Sequence, residues 1–149
     1  MSEVRFYHLE RQSLEQVLPA LLGKALENGH RILVKTPDDH MAERLNDYLW
    51  TYNPNSFLPH GSKKDGHAEL QPIWLTSDDE NPNSADVLIL TGGATSENIG
   101  TYGLCCELFN GLDETAVSQA RARWKAYQDQ GHDITYWQQG NKGWEQKAG

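Results

Sequence analysis

Short apolar runs alternate with longer amphipathic stretches along this chain of 149 residues, and this alternation restricts its fold more than any other feature. Apolar runs rich in β-branched and aromatic residues predict strands, and apolar residues at helical spacing predict helices. Strands that alternate with helices in this way form βαβ units. We therefore predict an α/β protein, a three-layer sandwich with a mostly parallel central sheet. The predicted strands are residues 4–9, 30–35, 73–75, 87–90 and, at an edge of the sheet, 134–137. Residues 102–109 could form a strand or a short helix, and their Tyr, Cys and Phe content favours a strand.

The first predicted helix has clear boundary signals. Ser13 and Gln16 have the spacing of a capping box, while Asn28 and Gly29 suit the left-handed conformation that often ends a helix. Pro19 falls inside the apolar stripe, where proline removes one backbone hydrogen bond. We therefore expect a kink at Pro19 or a later start of the helix.

The second predicted helix begins near two adjacent aspartates. We expect Thr36 to cap it and Pro37 to be its first residue, because Asp38 and Asp39 then lie where the helix dipole favours negative charge. A third helix is predicted from about residue 113 to 130. The predicted buried face of the second helix consists of Met41, Leu45, Tyr48 and Leu49.

Composition restricts the class of protein. Residues 1–149 contain no internal repeat or linker, so we predict one domain with a polar tail from about residue 138. The charge of −8 disfavours direct binding of nucleic acid. Because no apolar run approaches about 20 residues and no secretory signal begins the sequence, we expect a cytoplasmic protein without a membrane span. Cys105 and Cys106 are adjacent, a spacing that strains a disulfide, so we expect buried, reduced thiols and no zinc site.

Signals for catalysis and cofactors are weak. Thr91, Gly92 and Gly93 follow a predicted strand, where a phosphate-binding loop could lie, but the sequence has neither GxGxxG after its first strand nor GxxxxGK[ST]. A plain turn is favoured, and a small nucleotide-binding enzyme or sensor stays the alternative. His60 and His67 could approach each other in a loop, yet their spacing favours a solvated loop over a metal site. We predict no catalytic residue, metal or cofactor.

Two stretches could bind partners. In the third helix, Arg121 and Lys125 share a face beside Trp124, with Arg123 between them. Such a face could hold an acidic peptide end, although spacing alone favours an ordinary solvated helix face. The second stretch runs from Trp50 into a loop with apolar residues, which either cover the core or form a docking surface, with equal support from composition. These loop residues are Phe57, Leu58 and Pro59.

The sequence also resembles the chi subunit of bacterial DNA polymerase III holoenzyme over nearly its whole length. The resemblance rests on FYHL, LEQVLPALLGKAL, GHRILVK, ERLNDYLWTYNPNSFLPHG, DVLILT and RARWKAYQDQGHDITYW. The pairing of LW and SFLPHG with a terminal RxRWKAY helix is its most specific part. The resemblance implies a non-catalytic, clamp-loader-associated subunit with a Rossmann-like fold that lacks nucleotide-binding loops.

The resemblance further implies two partners. One is the acidic C-terminal tail of single-stranded DNA-binding protein, which ends in an aromatic residue. The other is the psi subunit or another clamp-loader or helicase partner. The family positions for tail binding fall on Arg121, Trp124 and Lys125, with Gln128 and Gly131 nearby, and Trp124 stands where relatives often carry tyrosine. The docking positions for the second partner fall on Trp50 and Phe57 and, by adjacency, on Leu58 and Pro59.

Overall fold

The computed structural model describes residues 2–53, 58–140 and 143–148, and these form eight strands and three α-helices. The strands are β1 (Glu3–Leu9), β2 (Ile32–Lys35), β3 (Gly61–Ser62), β4 (Ile73–Thr76), β5 (Val87–Thr91), β6 (Leu104–Asn110), β7 (Asp133–Gly140) and β8 (Gly143–Ala148). The helices are α1 (Leu14–Glu27), α2 (Asp39–Thr51) and α3 (Glu114–Asp129), and single 3-10 turns occupy Ala68–Leu70 and Ile99–Thr101.

All eight strands belong to one sheet, in the order β3-β4-β2-β5-β6-β1-β7-β8. Neighbouring strands are parallel except for β7 and β8, which are antiparallel. The predicted α/β class with a mostly parallel sheet is therefore confirmed, and so is the strand over residues 102–109.

The sheet has a helical layer on each face. On one face, Leu18 of α1 and Leu45 of α2 pack in a core cluster with Ile89 of β5. On the other face, Ala120 and Tyr127 of α3 pack in a second cluster with residues of the same strands. Because consecutive strand residues point to opposite faces, the fully apolar run of β5 supplies both clusters. This arrangement confirms the predicted three-layer sandwich.

Helix α1 begins and ends where the sequence predicts. Ser13 and Gln16 form a complete capping box, Asn28 is the C-cap, and Gly29 follows with a φ of +81°. Pro19 is buried inside the helix and does not delay its start. Proline at this position removes only the hydrogen bond that its own backbone nitrogen would donate, and burial of its ring in the core compensates for part of that loss.

The predicted cap of α2 was wrong. Asp38, not Thr36, is the N-cap, and its Oδ1 accepts a hydrogen bond of 2.8 Å from the backbone nitrogen of Met41. Thr36 is buried after β2, where its hydroxyl donates to the carbonyl oxygen of Asp38. An aspartate at the cap accepts from the third helical N–H and adds favourable charge at the helix N-terminus. Leu45 and Leu49 are buried as predicted, whereas Met41 and Tyr48 are only partly buried.

The predicted edge position of residues 134–137 was also wrong. Strand β7 runs from Asp133 to Gly140 and lies inside the sheet, between β1 and β8. The edge strand is β8, within the stretch that we expected to be a polar tail. Its sequence GWEQKA has one large apolar side chain, that of Trp144, which packs edge-to-face on Tyr7 at a ring distance of 4.9 Å. So little apolar alternation gives no recognisable strand signal.

Cys105 and Cys106 are unbridged and buried on opposite faces of β6. Burial raises the pKa of the Cys105 thiol well above its ordinary value and that of Cys106 to about 12. Both side chains therefore behave as small apolar core residues. Among the described residues, no helix is long and apolar enough to cross a membrane, and no group of three or more His, Cys, Asp or Glu could hold a metal ion.

Candidate functional site

The position of α3 on the sheet determines which of its side chains are accessible. Asp113 caps the helix, and its Oδ1 accepts hydrogen bonds from the backbone nitrogens of Thr115 and Ala116. Ala120 and Tyr127 anchor the helix in the core, and Trp124 packs partly buried against the same cluster. The residues that flank this stripe project along the two sides of the helix.

The three cations of α3 separate onto two sides of the helix. Arg123 lies toward β6, where its Nε forms a short ion pair with Oε1 of Glu107. Glu107 is only 2% exposed, and burial raises the pKa of its carboxyl group to about 7, although the Arg123 charge opposes this rise. Arg123 is therefore engaged in the structure of the domain and is not a free cation.

Arg121 and Lys125 are exposed and form no ion pair with any residue in the ranges 2–53, 58–140 and 143–148. They are one turn apart on the side of α3 that includes Trp124 and the exposed Gln128. We call these four residues the α3 surface. The structure thus brings together four of the five residues predicted for tail binding. The fifth, Gly131, is exposed just beyond the helix with a φ of +85° and helps to end it.

Trp124 is held firmly by its aromatic neighbours. Its ring centroid lies 5.5 Å from that of Phe6 and 5.8 Å from that of Tyr136, with edge-to-face geometry in both pairs. The indole keeps part of its surface accessible on the same side of the helix as the two cations. Two free cations beside a fixed, partly exposed aromatic ring can bind an acidic peptide that carries an apolar side chain.

The second candidate surface is at the end of α2. Trp50 is 50% exposed, and its ring centroid lies 4.0 Å from that of His60. His60 is buried, with Nδ1 2.6 Å from the carbonyl oxygen of Leu58 and Nε2 3.1 Å from that of Asn46. Contrary to the predicted solvated loop, His60 therefore fixes the loop to α2 beneath Trp50.

The loop residues differ in what they can offer a partner. Leu58 is 7% exposed and belongs to the core cluster with α1 and α2, so its side chain presents almost no surface. Pro59 is partly exposed, and Phe57 lies outside the described residues. We call Trp50 and Pro59 the Trp50 surface. Leu58 is therefore a core residue in this structure, one of the two interpretations that composition left open.

The two surfaces lie on opposite faces of the sheet. Helix α2 and Leu58 pack in the cluster on one face, and Trp124 packs in the cluster on the other. The sheet and its core side chains therefore separate the α3 surface from the Trp50 surface. The two surfaces therefore share no residue.

The turn after β5 differs from a phosphate-binding loop. Thr91 is buried, and its hydroxyl donates a 2.9 Å hydrogen bond to the carbonyl oxygen of Lys35. Gly92 and Gly93 have φ values of +60° and +85° and form a turn, and the next α-helix of the described chain begins only at Glu114. The turn borders an open cleft of about 650 Å³ at the carboxyl ends of β1, β5 and β6. The N-termini of α1 and α3 border this cleft too, but their own side chains already cap them.

In the described part of the chain, these features define a class: an α/β sandwich whose turn after β5 is not built as a phosphate-binding loop and whose α3 and Trp50 surfaces are accessible. Residues 1–135 match the family model described as DNA polymerase III chi subunit, HolC, and the chain therefore belongs to this family. Chi is an accessory subunit of DNA polymerase III and not the catalytic one.

Three relatives carry the same description. A probable DNA polymerase III subunit chi of Rickettsia prowazekii is 36% identical over 90 residues, which cover 60% of this chain and 54% of that protein, so the match spans about half the relative. The DNA polymerase III subunit chi of Escherichia coli is 22% identical over 141 residues, covering 90% of this chain and 96% of that protein. The subunit of Pseudomonas aeruginosa is 25% identical over 139 residues, covering 90% and 94%.

Proposed function

We propose that this protein tethers the DNA polymerase III holoenzyme to single-stranded DNA-binding protein during DNA replication, by holding the acidic C-terminal tail of that protein on the α3 surface. The observation that carries the proposal is the pair of exposed cations, Arg121 and Lys125, on the side of the helix that includes the partly exposed Trp124. Each cation can meet a carboxylate of the tail, while the indole takes an apolar contact. Gln128 extends the same side of the helix by one turn.

Charge supports the choice of an acidic peptide and predicts how its binding depends on salt. The whole chain has a charge of −8, so it repels an acidic ligand except where a local surface is positive. The α3 surface provides two such charges without a competing ion pair among the residues that the structure describes. Because these contacts are exposed, the affinity should fall as the salt concentration rises.

The test is titration of a fluorescent peptide with the sequence of the acidic tail against wild-type, Arg121→Ala and Lys125→Ala proteins. Each variant should bind about two- to fivefold more weakly, the range for one exposed charge pair. Lys24→Ala is the matched control, because Lys24 is an exposed lysine of α1 on the other face of the sheet and its loss gives the same net charge. Unchanged affinity in both α3 variants would refute the proposal.

The second half of the tether is the Trp50 surface, which would contact the psi subunit or another clamp-loader or helicase partner. An exposed tryptophan over a buried, hydrogen-bonded histidine is a rigid aromatic anchor of the kind common at interfaces. Phe57 stays a candidate through the family resemblance alone. In capture experiments from native lysate, the Trp50→Ala protein should no longer bind this partner. The Leu70→Ala protein, which lacks another exposed apolar side chain, should still bind it. Equal capture by both variants would remove Trp50 from the proposal.

The mechanism is an increase in local concentration. A weak site for the tail, joined through one rigid sheet to a second interface, keeps the replication machinery close to coated single-stranded DNA. This role needs no catalytic residue, cofactor or direct contact with nucleic acid, and it places the protein in the cytoplasm.

The alternative function is nucleotide binding at Thr91, Gly92 and Gly93. The cleft beside this turn is the single observation in its favour. Calorimetric titration with ATP and NAD tests it directly, and saturable micromolar binding that is lost on substitution of Gly93 would favour this alternative over the tether.

A further inference from the structure

Tyr136 of β7 forms a second wall beside the α3 surface. Its side chain lies on the α3 face of the sheet, with its ring centroid 5.8 Å from Trp124, 6.4 Å from Phe6 and 6.0 Å from Phe109. The ring is partly exposed, so it contributes accessible aromatic surface next to the indole. The sequence pattern gave no indication of this contact, because twelve positions separate Tyr136 from Trp124.

The hydroxyl of Tyr136 belongs to a partly buried polar cluster that restrains the ring. Its hydroxyl oxygen lies 2.6 Å from Nδ1 of His8, and Nε2 of His8 lies 2.9 Å from Oε1 of Glu10. Gln138 donates a 2.7 Å hydrogen bond to the same oxygen of Glu10. The His8 ring packs so closely on Gly111 that a Cβ atom at this glycine would overlap it. A ring fixed in this way loses little side-chain entropy when a ligand packs on it.

Two charged side chains of opposite sign act on the hydroxyl of Tyr136. Burial raises the pKa of this hydroxyl; the charge of Arg121 opposes the rise, and that of Glu10 adds to it. Glu10, the acidic group nearby, accepts a hydrogen bond from Gln138, and its Oε1 lies 2.9 Å from Nε2 of His8. Arg121, exposed on the α3 surface one turn before Trp124, supplies the positive charge for an acidic peptide.

We infer that Tyr136 is a specificity-determining residue of the α3 surface: its ring and that of Trp124 together receive the aromatic side chain of an acidic peptide, while Arg121 binds a carboxylate of that peptide. This inference rests on the proposed function of the α3 surface. According to this inference, residues of both β7 and α3 determine the preference for a peptide that ends in an aromatic residue. The occupant is one class of molecule, a peptide with carboxylates next to an aromatic residue, as the two exposed cations and the two rings require.

A double-mutant cycle tests the assignment. Two acidic peptides, identical except for a terminal Phe or Ala, are titrated against wild-type, Tyr136→Ala and Tyr136→Phe proteins. The wild type should prefer the Phe peptide by about tenfold, and Tyr136→Ala should reduce that preference about three- to tenfold, the range for one aromatic pair. Tyr136→Phe keeps the ring but loses the hydroxyl contact with His8, so it should keep most of the preference.

The ratio between the two peptides separates recognition from folding. A variant that is merely less folded binds both peptides more weakly by the same factor, so an unchanged ratio in Tyr136→Ala overturns the inference. Lys125→Ala should weaken both peptides about equally, because it removes charge and no aromatic contact. If Arg121→Ala and Lys125→Ala leave both affinities unchanged, the proposed function itself fails; if they weaken binding while the ratio is unchanged in Tyr136→Ala, only the assignment of Tyr136 fails.

Discussion

The buried carboxyl group of Glu107 should make the stability of this protein fall as the pH rises from 4.5 to 7. Glu107 faces α3 from β6 and is 2% exposed, and Arg123 and Tyr127 of α3 act on its carboxyl group. Burial raises its pKa from the ordinary value of 4.5 to about 7, against the opposing effect of Arg123. The perturbation is Glu107→Gln, which keeps the shape of the side chain and removes the titration.

The direction of this change in stability follows from whether the folded and the unfolded chain keep the proton of Glu107. Below pH 4.5 both the folded and the unfolded chain keep this carboxyl group protonated, so its contribution to stability is fully present. Between 4.5 and about 7 the unfolded chain releases the proton first, and the free energy of unfolding falls. At about 1.4 kcal/mol for each pH unit between the two pKa values, the total decrease is about 3 kcal/mol.

Urea denaturation at several values between pH 4.5 and 7.5 measures this decrease as the difference in unfolding free energy between Glu107→Gln and wild type. The difference should move in favour of the variant by about 3 kcal/mol across the range. Three aspartates do not interfere, because their pKa values are lowered from 3.8 and they therefore titrate below this pH range. They are Asp65, Asp79 and Asp86. Glu145→Gln, at a half-exposed carboxylate, is the control and should show almost no trend. A constant difference, or a wild type that gains stability with pH, would show that the pairing with Arg123 outweighs burial.

Further changes test other parts of the structure. Gly111→Ala should lower the free energy of unfolding by about 1–3 kcal/mol, because the added methyl group overlaps the His8 ring, and thermal denaturation measures the loss. Asp38→Ala should lower the free energy of unfolding by about 1 kcal/mol, because it removes the N-cap of α2. An unchanged stability would indicate that Thr36 caps the helix instead. Leu58→Ala should cost about 2–5 kcal/mol as a core truncation, whereas the exposed Trp50→Ala should cost clearly less, and equal losses would contradict their assigned positions.

The fold was predictable because the hydrophobic periodicity of the sequence indicates most of its strands and helices. Residues 32–34 of β2 and 87–90 of β5 are all apolar, as expected for buried parallel strands, and the stripe of α1 lies between two strong boundary signals. The strand β8 was not predictable, because it is at the edge and buries little. Thr36 and Asp38 were both good caps, and only the fold could decide between them, since burial of Thr36 after β2 leaves Asp38 at the helix end.

The candidate site was predictable only as far as helical spacing reaches. The spacing placed Arg121, Trp124 and Lys125 on one side of α3, yet it could not show that Arg123 pairs with Glu107, which lies sixteen positions earlier on β6. Tyr136 comes to the site through a parallel strand pair, a contact without any local signal. Composition left the role of Leu58 open for the same reason, because covering the core and exposing a docking surface need the same apolar residue type.

The opposite placement of the two surfaces leads to a final prediction about the tether. Helix α3 and the end of α2 are separated by the sheet and its two core clusters, so a peptide on the α3 surface touches no residue of the Trp50 surface. Two partners can therefore bind together, and without a shared mobile element their affinities should be independent. Trp50→Ala should leave the affinity for the acidic peptide within about twofold of wild type, and Arg121→Ala should leave capture of the second partner unchanged. A peptide affinity that changes several-fold on Trp50→Ala would mean that the sheet couples the two surfaces, and the tether would then act as a switch and not as a passive link.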